Sequence, residues 1–369
     1  MHLSRLRLRD FRNYGRLDLE FSPGFHLFLG DNAQGKTNLL EAIYLMATLR
    51  SFRGVVSGQM VRLDQKGYFV GGSVVMQGTR EIKIYWSHRE RNLSVDAQPV
   101  RRMSDYIGVF RAVIFCSEDL QLVKGPSSRR RRFLDLLLAQ TQLGYLDLLQ
   151  RYTVSLRSRN ALLKQRVIDE NALESFSRDL ISVGQELINR RARLLPVLEP
   201  IARESYRLIS RDSEKLRLVY QQTIKNDFAV ELSQSSVRER QLRTTLVGPH
   251  RDDLTLSLDD KPANQFGSEG QKRSLVIALK MAQAEYLTAC HGSPPVLLID
   301  DIMGELDIHR RSGFLPLLRR VHAAQSQVFM TCTEENWPEE LGREIHRWTV
   351  KGGKVNPAAC PPKIVNPAG

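Results

Sequence analysis

The sequence lacks the patterns that several large classes of protein require. Its 4 cysteines, Cys116, Cys290, Cys332 and Cys360, have no paired spacing, which indicates buried, reduced thiols and neither a disulfide framework nor a zinc site. The 8 histidines include no His-x-x-x-His pair that could hold a metal ion. No stretch approaches the ~18 apolar residues of a membrane span, and the N-terminus lacks the apolar run of a signal peptide. We therefore expect a cytoplasmic protein.

The charge of the chain is high and unevenly distributed. The 369 residues, 42% hydrophobic and 26% charged, are typical of a soluble globular protein long enough for two domains. The net charge is +13, with an excess of +7 in residues 1–117, +7 in residues 118–243 and −1 in residues 244–369. A basic surface attracts polyanions, and nucleic acid is the first candidate. Solubility alone is the alternative explanation.

The spacing of apolar residues divides the chain into the same three regions. Residues 1–117 mostly alternate with period two and predict strands, together with one helix over Asn38–Leu49. Residues 118–243 repeat at helical spacing and predict an arm of three or more antiparallel helices, interrupted at Pro196 and Pro200. Residues 244–369 predict alternating strands and helices. These include a strand at 254–258, a helix at 274–290, strands at 296–299 and 326–330, and a loose tail over the last ten residues.

The segment Gly30-Asp31-Asn32-Ala33-Gln34-Gly35-Lys36-Thr37 fits G-x-x-x-x-G-K-[ST] in full. It follows an apolar strand at 25–29 and opens a helix, which is the structural context that a P-loop needs. The backbone N–H groups of such a loop surround the phosphates of a nucleotide. We predict that Lys36 reaches the β- and γ-phosphates of ATP and that Thr37 ligates Mg²⁺.

A carboxylate for the metal follows the apolar run 296–299. Asp300 and Asp301 stand at the carboxyl end of this predicted buried strand, where ligands lie in open α/β sheets. We predict that Asp300 is the partner of Mg²⁺ and that Asp301 polarises the attacking water. Lys36 and Asp300 are 264 residues apart, so a large insertion separates the two halves of the site. Split heads of this kind are typical of ATPases of the ABC and SMC class.

Two further segments favour this class. Ser268-Glu269-Gly270-Gln271, before a long helix, resembles the ABC signature Ser-Gly-Gly-Gln. At the N-terminus of a helix, Ser268, Gly270 and Gln271 would form an anion site for the γ-phosphate held by a second protomer. Gly304-Glu305-Leu306-Asp307, just after the two acids, matches a loop that runs along the dimer interface of such heads. The fold class predicted is α/β, an ABC/SMC-type P-loop ATPase head with mixed sheet lobes and an inserted helical arm.

The chain resembles the RecF family of bacterial recombination and repair proteins, which is related to SMC heads. The resemblance extends over nearly the whole chain in the expected order. It is carried by the P-loop followed by Asn38-Leu39-Leu40-Glu41, by Phe115 to Leu120 leading to Arg130-Arg131-Arg132-Phe133-Leu134-Asp135, by Gly248-Pro249-His250-Arg251-Asp252-Asp253, and by Asp300-Asp301 with Glu305-Leu306-Asp307; 51–53 and 159–163 also match.

The resemblance implies a DNA-binding ATPase that dimerises around two sandwiched nucleotides and hydrolyses ATP slowly, as a switch. It also implies action with RecO and RecR to direct RecA onto gapped DNA. Two departures matter. Glu269 adds negative charge near a phosphate site, and Thr331-Cys332-Thr333 stands where transporter ATPases place a switch histidine.

The roles of several basic residues stay open. Arg129 to Arg132 are consecutive at a helix start, so they cannot all face one ligand. They either pair with acids such as Glu118, Asp119 or Asp135, or contact DNA. Arg53 either touches a nucleotide or DNA or is a solvated surface residue. His250 is expected to be a structural or interface residue.

Two other functions share the P-loop and the acids. One is the ATPase subunit of a membrane transporter, against which stand the ~125-residue helical insertion and the missing switch histidine. The other is an ATP-gated nuclease of the overcoming-lysogenisation type. The roughly 60 residues after Asp307 are too few for its additional nuclease domain.

Overall fold

The computed structural model describes residues 1–210, 214–323, 326–333 and 345–358. Within these ranges the strands are β1 His2–Phe11, β2 Tyr14–Glu20, β3 Gly24–Leu29, β4 Gly67–Val75, β5 Thr79–Ser87, β6 Arg91–Val95, β7 Gln98–Pro99, β8 Ala112–Phe115, β9 Leu216–Gln221, β10 Asp253–Leu258, β11 Lys261–Pro262, β12 Val296–Asp300, β13 Gln327–Cys332, β14 Ile345–Lys351 and β15 Lys354–Pro357. The helices are α1 Lys36–Thr48, α2 Gln121–Lys124, α3 Ser127–Thr141, α4 Tyr145–Leu163, α5 Glu170–Ser210, α6 Phe228–Leu242, α7 Ala263–Phe266, α8 Glu269–His291 and α9 Ile308–Ala323. Among the helices described, none is both long and apolar enough to cross a bilayer.

The chain divides into two compact units. The first unit contains Met1–Arg101, Val109–Glu118 and Ser293–Gly369, and the second contains Arg102–Gly108 and Asp119–Gly292. The segment 244–292, with helix α8, therefore packs within the second unit. The assignment of 1–117, 118–243 and 244–369 to head, arm and head as functional domains stays a prediction.

The first unit contains an antiparallel sheet of six strands in the order β2-β1-β4-β5-β6-β7. Along β1, Leu6 and Leu8 are buried, while Arg5, Arg7 and Arg9 lie on the opposite face. This alternation follows from the period of two in a strand and confirms the strands predicted for this region.

The second sheet of the first unit has the order β15-β14-β3-β13-β12-β8, and only β15 is antiparallel to its neighbour. The apolar strands predicted at 25–29, 296–299 and 326–330 are confirmed as β3, β12 and β13. Every residue of β12 is buried, as in a strand covered on both faces. β13 lies between β3 and β12, so their carboxyl ends lie at one edge of the sheet, with β3 and β12 one strand apart.

The second unit is mostly helical and contains a small sheet in the order β11-β10-β9. The helix predicted at 274–290 and the strand predicted at 254–258 are confirmed as parts of α8 and β10. The interruption predicted at Pro196 and Pro200 is wrong, because α5 runs through both prolines over 41 residues. A proline inside a helix costs roughly 3 kcal/mol or more. Neighbouring buried side chains, among them Leu194, Leu195 and Leu198, offset that cost.

The cysteines differ in their surroundings. Cys116 and Cys332 are buried as expected, whereas Cys290 is exposed near the end of α8. The thiol prediction is therefore wrong for the burial of Cys290, whose position near a helix end leaves it outside the packed face. Cys360 and the predicted loose tail lie outside the described residues.

Candidate nucleotide and metal site

The P-loop connects the end of β3 to the start of α1. Gly30 and Gly35 have φ values of 149° and 115°, and Ala33 has a φ of 64°. A side chain at Gly30 would bring its Cβ within 2.3 Å of the Val350 carbonyl oxygen. Only glycine fits this close approach and this backbone conformation. The two glycines of the motif are therefore required by the turn itself.

Lys36 is the first residue of α1, and its side chain is buried against the loop. Its Nζ donates hydrogen bonds to the carbonyl oxygens of Gly30, at 2.5 Å, and Asp31, at 2.9 Å. The ammonium group is thus held over the concave side of the loop. A cation in this position favours a phosphate group in the same loop.

Thr37 and Asp300 are brought together as predicted from the sequence. The Thr37 hydroxyl donates to Asp300 Oδ1 at 2.9 Å, and the Thr331 hydroxyl donates to the same oxygen at 2.9 Å. Thr331 Oγ1 in turn accepts from the backbone N–H of Asp301 at 3.1 Å. The ends of β12 and β13 and the start of α1 therefore meet at one carboxylate.

Burial raises the pKa of Asp300, and the hydroxyls of Thr331 and Thr37 oppose that shift. The acid Glu118, which follows β8, acts in the same direction as burial. Asp301 differs, because it is exposed and has a φ of 53°. The left-handed backbone turns the chain at the end of β12 and separates the two neighbouring carboxylates.

The oxygen donors suit Mg²⁺. Mg²⁺ usually binds one or two protein oxygens together with water and substrate phosphates. The Thr37 hydroxyl and the Asp300 carboxylate are in direct contact, and a larger cluster of metal-binding side chains is not found within the described ranges. This small donor set fits a metal that shares its coordination with a nucleotide.

Two turns support the P-loop from either side. Between β1 and β2, Asn13 Nδ2 donates to the Gln34 carbonyl at 2.9 Å. Between β14 and β15, the N–H of Gly352 donates to Gln34 Oε1 at 2.7 Å, and the N–H of Gly353 donates to the Gln34 carbonyl at 3.2 Å. Gln34, which occupies a position that the motif leaves unspecified, therefore connects the P-loop to both turns. Neither turn was predicted to be part of the site.

A buried carboxylate fixes the first turns of α1. Glu41 accepts two hydrogen bonds of 2.7 Å from the guanidinium of Arg12 and one from the Ser51 hydroxyl. Arg53 donates to the Asn38 side chain at 3.2 Å, and Asn38 donates to Asn13 at 2.9 Å. Arg53 is therefore tied to the helix beside the P-loop.

The signature segment forms the N-terminus of α8. Ser268 Oγ accepts from the N–H of Gln271 at 3.2 Å, and Gln271 Oε1 accepts from the N–H of Ser268 at 2.5 Å, a reciprocal capping box. Lys124 Nζ donates to Glu269 at 2.6 Å and is the first cause of the lowered pKa of Glu269. Lys124 thus partly neutralises the negative charge that departs from the usual signature.

The segment after the two acids has a capping role. Asp307 precedes α9 and accepts from the N–H of Arg310 at 2.9 Å. This hydrogen bond is the first cause of its lowered pKa. A contact of this segment with a second protomer stays a prediction.

The arginine run divides between structural contacts and the surface. Arg130 forms a bidentate ion pair with Asp253, at 2.7 and 2.9 Å, and Arg131 donates to the Asp252 carbonyl at 2.7 Å. Arg129 and Arg132 are exposed. The pairing interpretation therefore holds for Arg130, but its partner Asp253 comes from the 248–253 segment instead of the acids suggested by the sequence.

His250 has two polar contacts in the second unit. Its Nδ1 lies 2.6 Å from the Tyr152 hydroxyl, and its Nε2 lies 3.2 Å from the Thr245 carbonyl. Burial lowers its pKa to about 4, so the ring is neutral near neutral pH. These contacts agree with the structural role expected for it.

The contacts that Thr331, Asn13 and Gly352 make at the site were not predicted, and the sequence carries a usable signal for Thr331 alone among these three. A polar residue directly after an apolar strand, as at Thr331, was a usable signal, because strand ends of parallel sheets meet at one edge. Asn13 and Gly352 lie far from the P-loop in sequence, and their turns carry no nucleotide-binding pattern. Only the strand order brings them to Gln34.

Comparisons with known proteins agree with this geometry. Residues 2–355 match the model of the family described as "RecF/RecN/SMC N terminal domain". The DNA replication and repair protein RecF of Symbiobacterium thermophilum is 39% identical over 376 residues, which cover 96% of this chain and 98% of that protein. RecF of Streptococcus uberis is 37% identical, with coverage of 96% and 99%.

Solved structures extend the likeness to the fold. A structure described as the recombination mediator protein RecF-ATP in the RecFOR pathway is 30% identical, with a TM-score of 0.88 and coverage of 97% of this chain and 98% of that one. An Smc head domain from Pyrococcus furiosus, 15% identical with a TM-score of 0.57 and coverage of 97% and 96%, shares the fold. The SMC-type head fold predicted from the sequence is confirmed. The chain belongs to the RecF family of DNA replication and repair proteins.

Proposed function

We propose that the chain binds ATP with Mg²⁺ and uses the nucleotide to close a homodimer on DNA at single-strand gaps. The observation that carries the proposal is the hydrogen bond of 2.9 Å between Thr37 and Asp300. It joins Thr37 and Asp300, which are 263 positions apart in the chain and would form the two halves of the nucleotide site. A relative of similar length is described as a complex of RecF with ATP.

Each residue of the P-loop would act on the phosphates in a defined way. The backbone N–H groups from Asp31 to Lys36 would bind the phosphate oxygens, and Lys36 would transfer its hydrogen bonds from the loop carbonyls to the β- and γ-phosphates. Thr37 and Asp300 would hold the metal. When bound, Mg²⁺ would neutralise charge that develops on the γ-phosphate.

Asp301 is the group that would polarise the attacking water. It is exposed, whereas Asp300 is buried and accepts two hydroxyl hydrogen bonds. An exposed carboxylate next to the metal site can accept a hydrogen bond from water and orient it. Thr331 stands where transporter ATPases place a switch histidine, and it donates to Asp300 at 2.9 Å. A hydroxyl in place of an imidazole supports slow hydrolysis that resets the dimer.

The signature would complete the site of a second protomer. Ser268 accepts a hydrogen bond in the capping box, so its own O–H remains able to donate to a γ-phosphate. Gly270 would add a backbone N–H at the positive end of α8. Gln271, whose N–H donates to Ser268 Oγ, would hold the Ser268 hydroxyl in place beside it. Because Lys124 binds Glu269, the negative charge of this segment opposes an incoming phosphate less than the sequence alone implies.

Duplex DNA and gapped junctions are the proposed substrates, and RecO, RecR and RecA the proposed partners. The basic excess in residues 1–243 supports binding to a polyanion. Relatives are named for DNA replication and repair, and one is described as part of the RecFOR pathway. Family membership favours this function over the transporter-subunit and nuclease alternatives.

Gel filtration with and without ATP, on gapped and on blunt duplex DNA, tests nucleotide, dimer and substrate together. We expect ATP to shift the parent to a dimer that co-elutes with gapped DNA. Lys36→Ala should stay monomeric under the same conditions. Lys225→Ala, which removes an exposed lysine, is the matched control. If Lys36→Ala dimerised and bound DNA with ATP as the parent does, the proposed mechanism would be wrong.

A further inference from the structure

One row of side chains crosses the outer face of the six-stranded sheet in the first unit. Cross-strand register places five residues opposite one another on the face away from the buried leucines. We call this row the aromatic–arginine row. In the strand order β2, β1, β4, β5 and β6, it consists of Arg16, Arg9, Phe69, Tyr85 and Asn92.

The aromatic–arginine row differs in charge from the rows beside it. In the neighbouring rows Arg5 pairs with Asp18 at 2.6 Å, and Arg7 and Lys83 pair with Glu81 at 2.5 and 2.8 Å. The aromatic–arginine row contains no acid. Basic charge is therefore neutralised on most of this face and left in excess along one line.

The two arginines of the row stand directly opposite each other. Like charges in this arrangement are destabilising unless an anion lies between them. The Arg9 side chain is 78% exposed, and among the described residues its one ion pair is with the neighbouring Asp10, at 3.8 Å. Arg16 is exposed, and no ion pair to it is found within the described part of the chain. The pair is thus complementary to a negatively charged ligand.

The two aromatic residues continue the row on the adjacent strands. Phe69 lies over Gly71, where a Cβ would be only 2.6 Å from the Phe69 Cζ, so this ring is partly explained by packing on a glycine. Tyr85, directly opposite Phe69, is 38% exposed. Among the described residues it has neither a hydrogen bond nor a ring partner. Its ring face is available to a ligand.

We propose that the aromatic–arginine row binds single-stranded nucleic acid, with bases on Tyr85 and Phe69 and the phosphate backbone on Arg9 and Arg16. Exposed aromatic rings beside basic side chains are how sheets bind single strands without sequence preference. A duplex offers phosphates but keeps its bases stacked, so it would use the arginines and not the rings. Neighbouring strands are about 4.8 Å apart, and five strands give a row of roughly 19 Å.

The inference rests on the proposed function only in naming the nucleic acid as DNA. None of the five residues belongs to the P-loop, to Asp300 or Asp301, or to the signature. The row would supply the contact to the single-stranded side of a gap. Its binding should therefore need neither ATP nor dimer formation.

The test is fluorescence anisotropy of the full chain with labelled oligothymidylate and with a labelled duplex, in the absence of nucleotide. Tyr85→Leu should weaken binding of the single strand roughly tenfold, the loss of one base-stacking contact, without changing binding of the duplex. Arg16→Gln should reduce the slope of log affinity against log salt by about 0.7 for the single strand. Phe69→Leu should act as Tyr85→Leu does.

Matched controls separate this site from general effects. Phe266→Leu removes an exposed aromatic ring in the second unit, and Arg5→Gln removes an arginine of the same face that is already paired. Both should bind oligothymidylate as the parent does. Lys36→Ala should also retain single-strand binding, so a failure of the ATP-driven mechanism would leave this result unchanged.

Three results would overturn the proposal. The parent could fail to bind oligothymidylate, or Tyr85→Leu and Phe69→Leu could bind it with unchanged affinity. Alternatively, Tyr85→Leu could weaken duplex and single strand equally, which would make the surface a backbone contact only. Circular dichroism of each variant, expected to match the parent, excludes loss of folding as the cause.

Discussion

Two adjacent aspartates at the end of β12 have different surroundings and therefore different chemistry. Asp300 is buried and accepts hydrogen bonds from Thr37 and Thr331, whereas Asp301 is exposed with a left-handed backbone. Burial raises the pKa of Asp300. The Asp300 carboxylate is therefore suited to bind a metal ion, and the Asp301 carboxylate is suited to accept a hydrogen bond from water.

We expect Asp300→Asn to raise thermal stability in the absence of nucleotide. The pKa of Asp300 in the folded chain lies above its ordinary value of 3.8, because the carboxylate is buried. Between pH 3.8 and the folded pKa, the folded chain retains a proton that the unfolded chain has lost. The free energy of unfolding therefore falls as pH rises through this range, and above it the full destabilisation by the buried charge is present. Asn keeps an acceptor for both threonines without the charge. The melting temperature should exceed that of the parent at pH 7.5, and the difference should shrink as pH is lowered.

The same Asp300→Asn variant should lose Mg²⁺-dependent ATP binding, measured by calorimetry. Stability and function therefore change in opposite directions. Asp18→Asn, at an exposed carboxylate whose pKa is lowered by the hydrogen bond from Arg5, is the control for loss of a carboxylate elsewhere. A lower melting temperature of Asp300→Asn at pH 7.5 would contradict the role of burial argued here.

Asp301→Asn should trap an ATP-bound dimer. Asn tolerates the left-handed backbone at φ 53°, so the substitution removes the charge with little strain. ATP turnover should fall by roughly a hundredfold, as is usual when a general base is lost, and gel filtration with ATP should show a persistent dimer. Asp301→Ala should also lose turnover but should melt lower, because Ala in this conformation is strained. Turnover of Asp301→Asn equal to that of the parent would exclude the hydrolytic role.

At the scale of elements, the N-terminus of α8 depends on a residue far from it in sequence. Lys124, the last residue of α2, neutralises Glu269 in the first turn of α8. We expect Lys124→Ala to weaken ATP-driven dimerisation several-fold, because Glu269 would keep the longer ion pair with Lys272, at 3.7 Å, and more of its negative charge would oppose the incoming phosphate. Sedimentation across a range of protein concentrations measures this. The double variant Lys124→Ala/Glu269→Gln should recover the parent value, and no recovery would mean that Lys124 acts by another route.

A buried ion pair joins α4 to α6 in the second unit. The Arg159 side chain donates to Glu239 at 2.7 Å, to Thr245 at 2.8 Å and to Ser177 at 2.9 Å, and both charged side chains are almost fully buried. Removing one partner leaves a buried charge and costs roughly 3–5 kcal/mol. Arg159→Met should therefore lower the free energy of unfolding in urea strongly. Arg151→Met, at an exposed pair with Asp179, should cost less than about 1 kcal/mol; equal losses would refute the argument.

The sequence predicted the elements that have strong local patterns. The P-loop, helix α1 and strand β12 each combine a motif with an apolar period, and the structure forms them at the predicted positions. The continuation of α5 through Pro196 and Pro200 could not be predicted, because tertiary packing outweighs the local preference. The same applies to Asn13 and Gly352, whose contacts with Gln34 arise from strand order alone.

For the whole chain, strand order explains how a site is built from distant segments. β3 carries the P-loop and β12 carries Asp300, and β13 lies between them with Thr331 at its end. All three strands are parallel, so their carboxyl ends meet at one edge. Lys36 and Asp300 are 264 positions apart, and the parallel strands β3 and β12 still place them at the same edge. A change at either end of that interval is therefore expected to affect one common site.

Removal of Mg²⁺ and removal of the Thr37 hydroxyl should have the same effect on the whole molecule. Thr37→Val keeps the shape of the side chain but removes the hydroxyl that binds Asp300 at 2.9 Å. We expect the parent with ATP and Mg²⁺ to elute as a dimer, and the parent with ATP and EDTA, or Thr37→Val with Mg²⁺, to elute as a monomer. Thr79→Val, at an exposed threonine of β5, should behave as the parent does. Dimer formation by Thr37→Val with ATP and Mg²⁺ would mean that closure does not need the Thr37 hydroxyl, because the metal would then have lost one of its two proposed protein ligands without consequence.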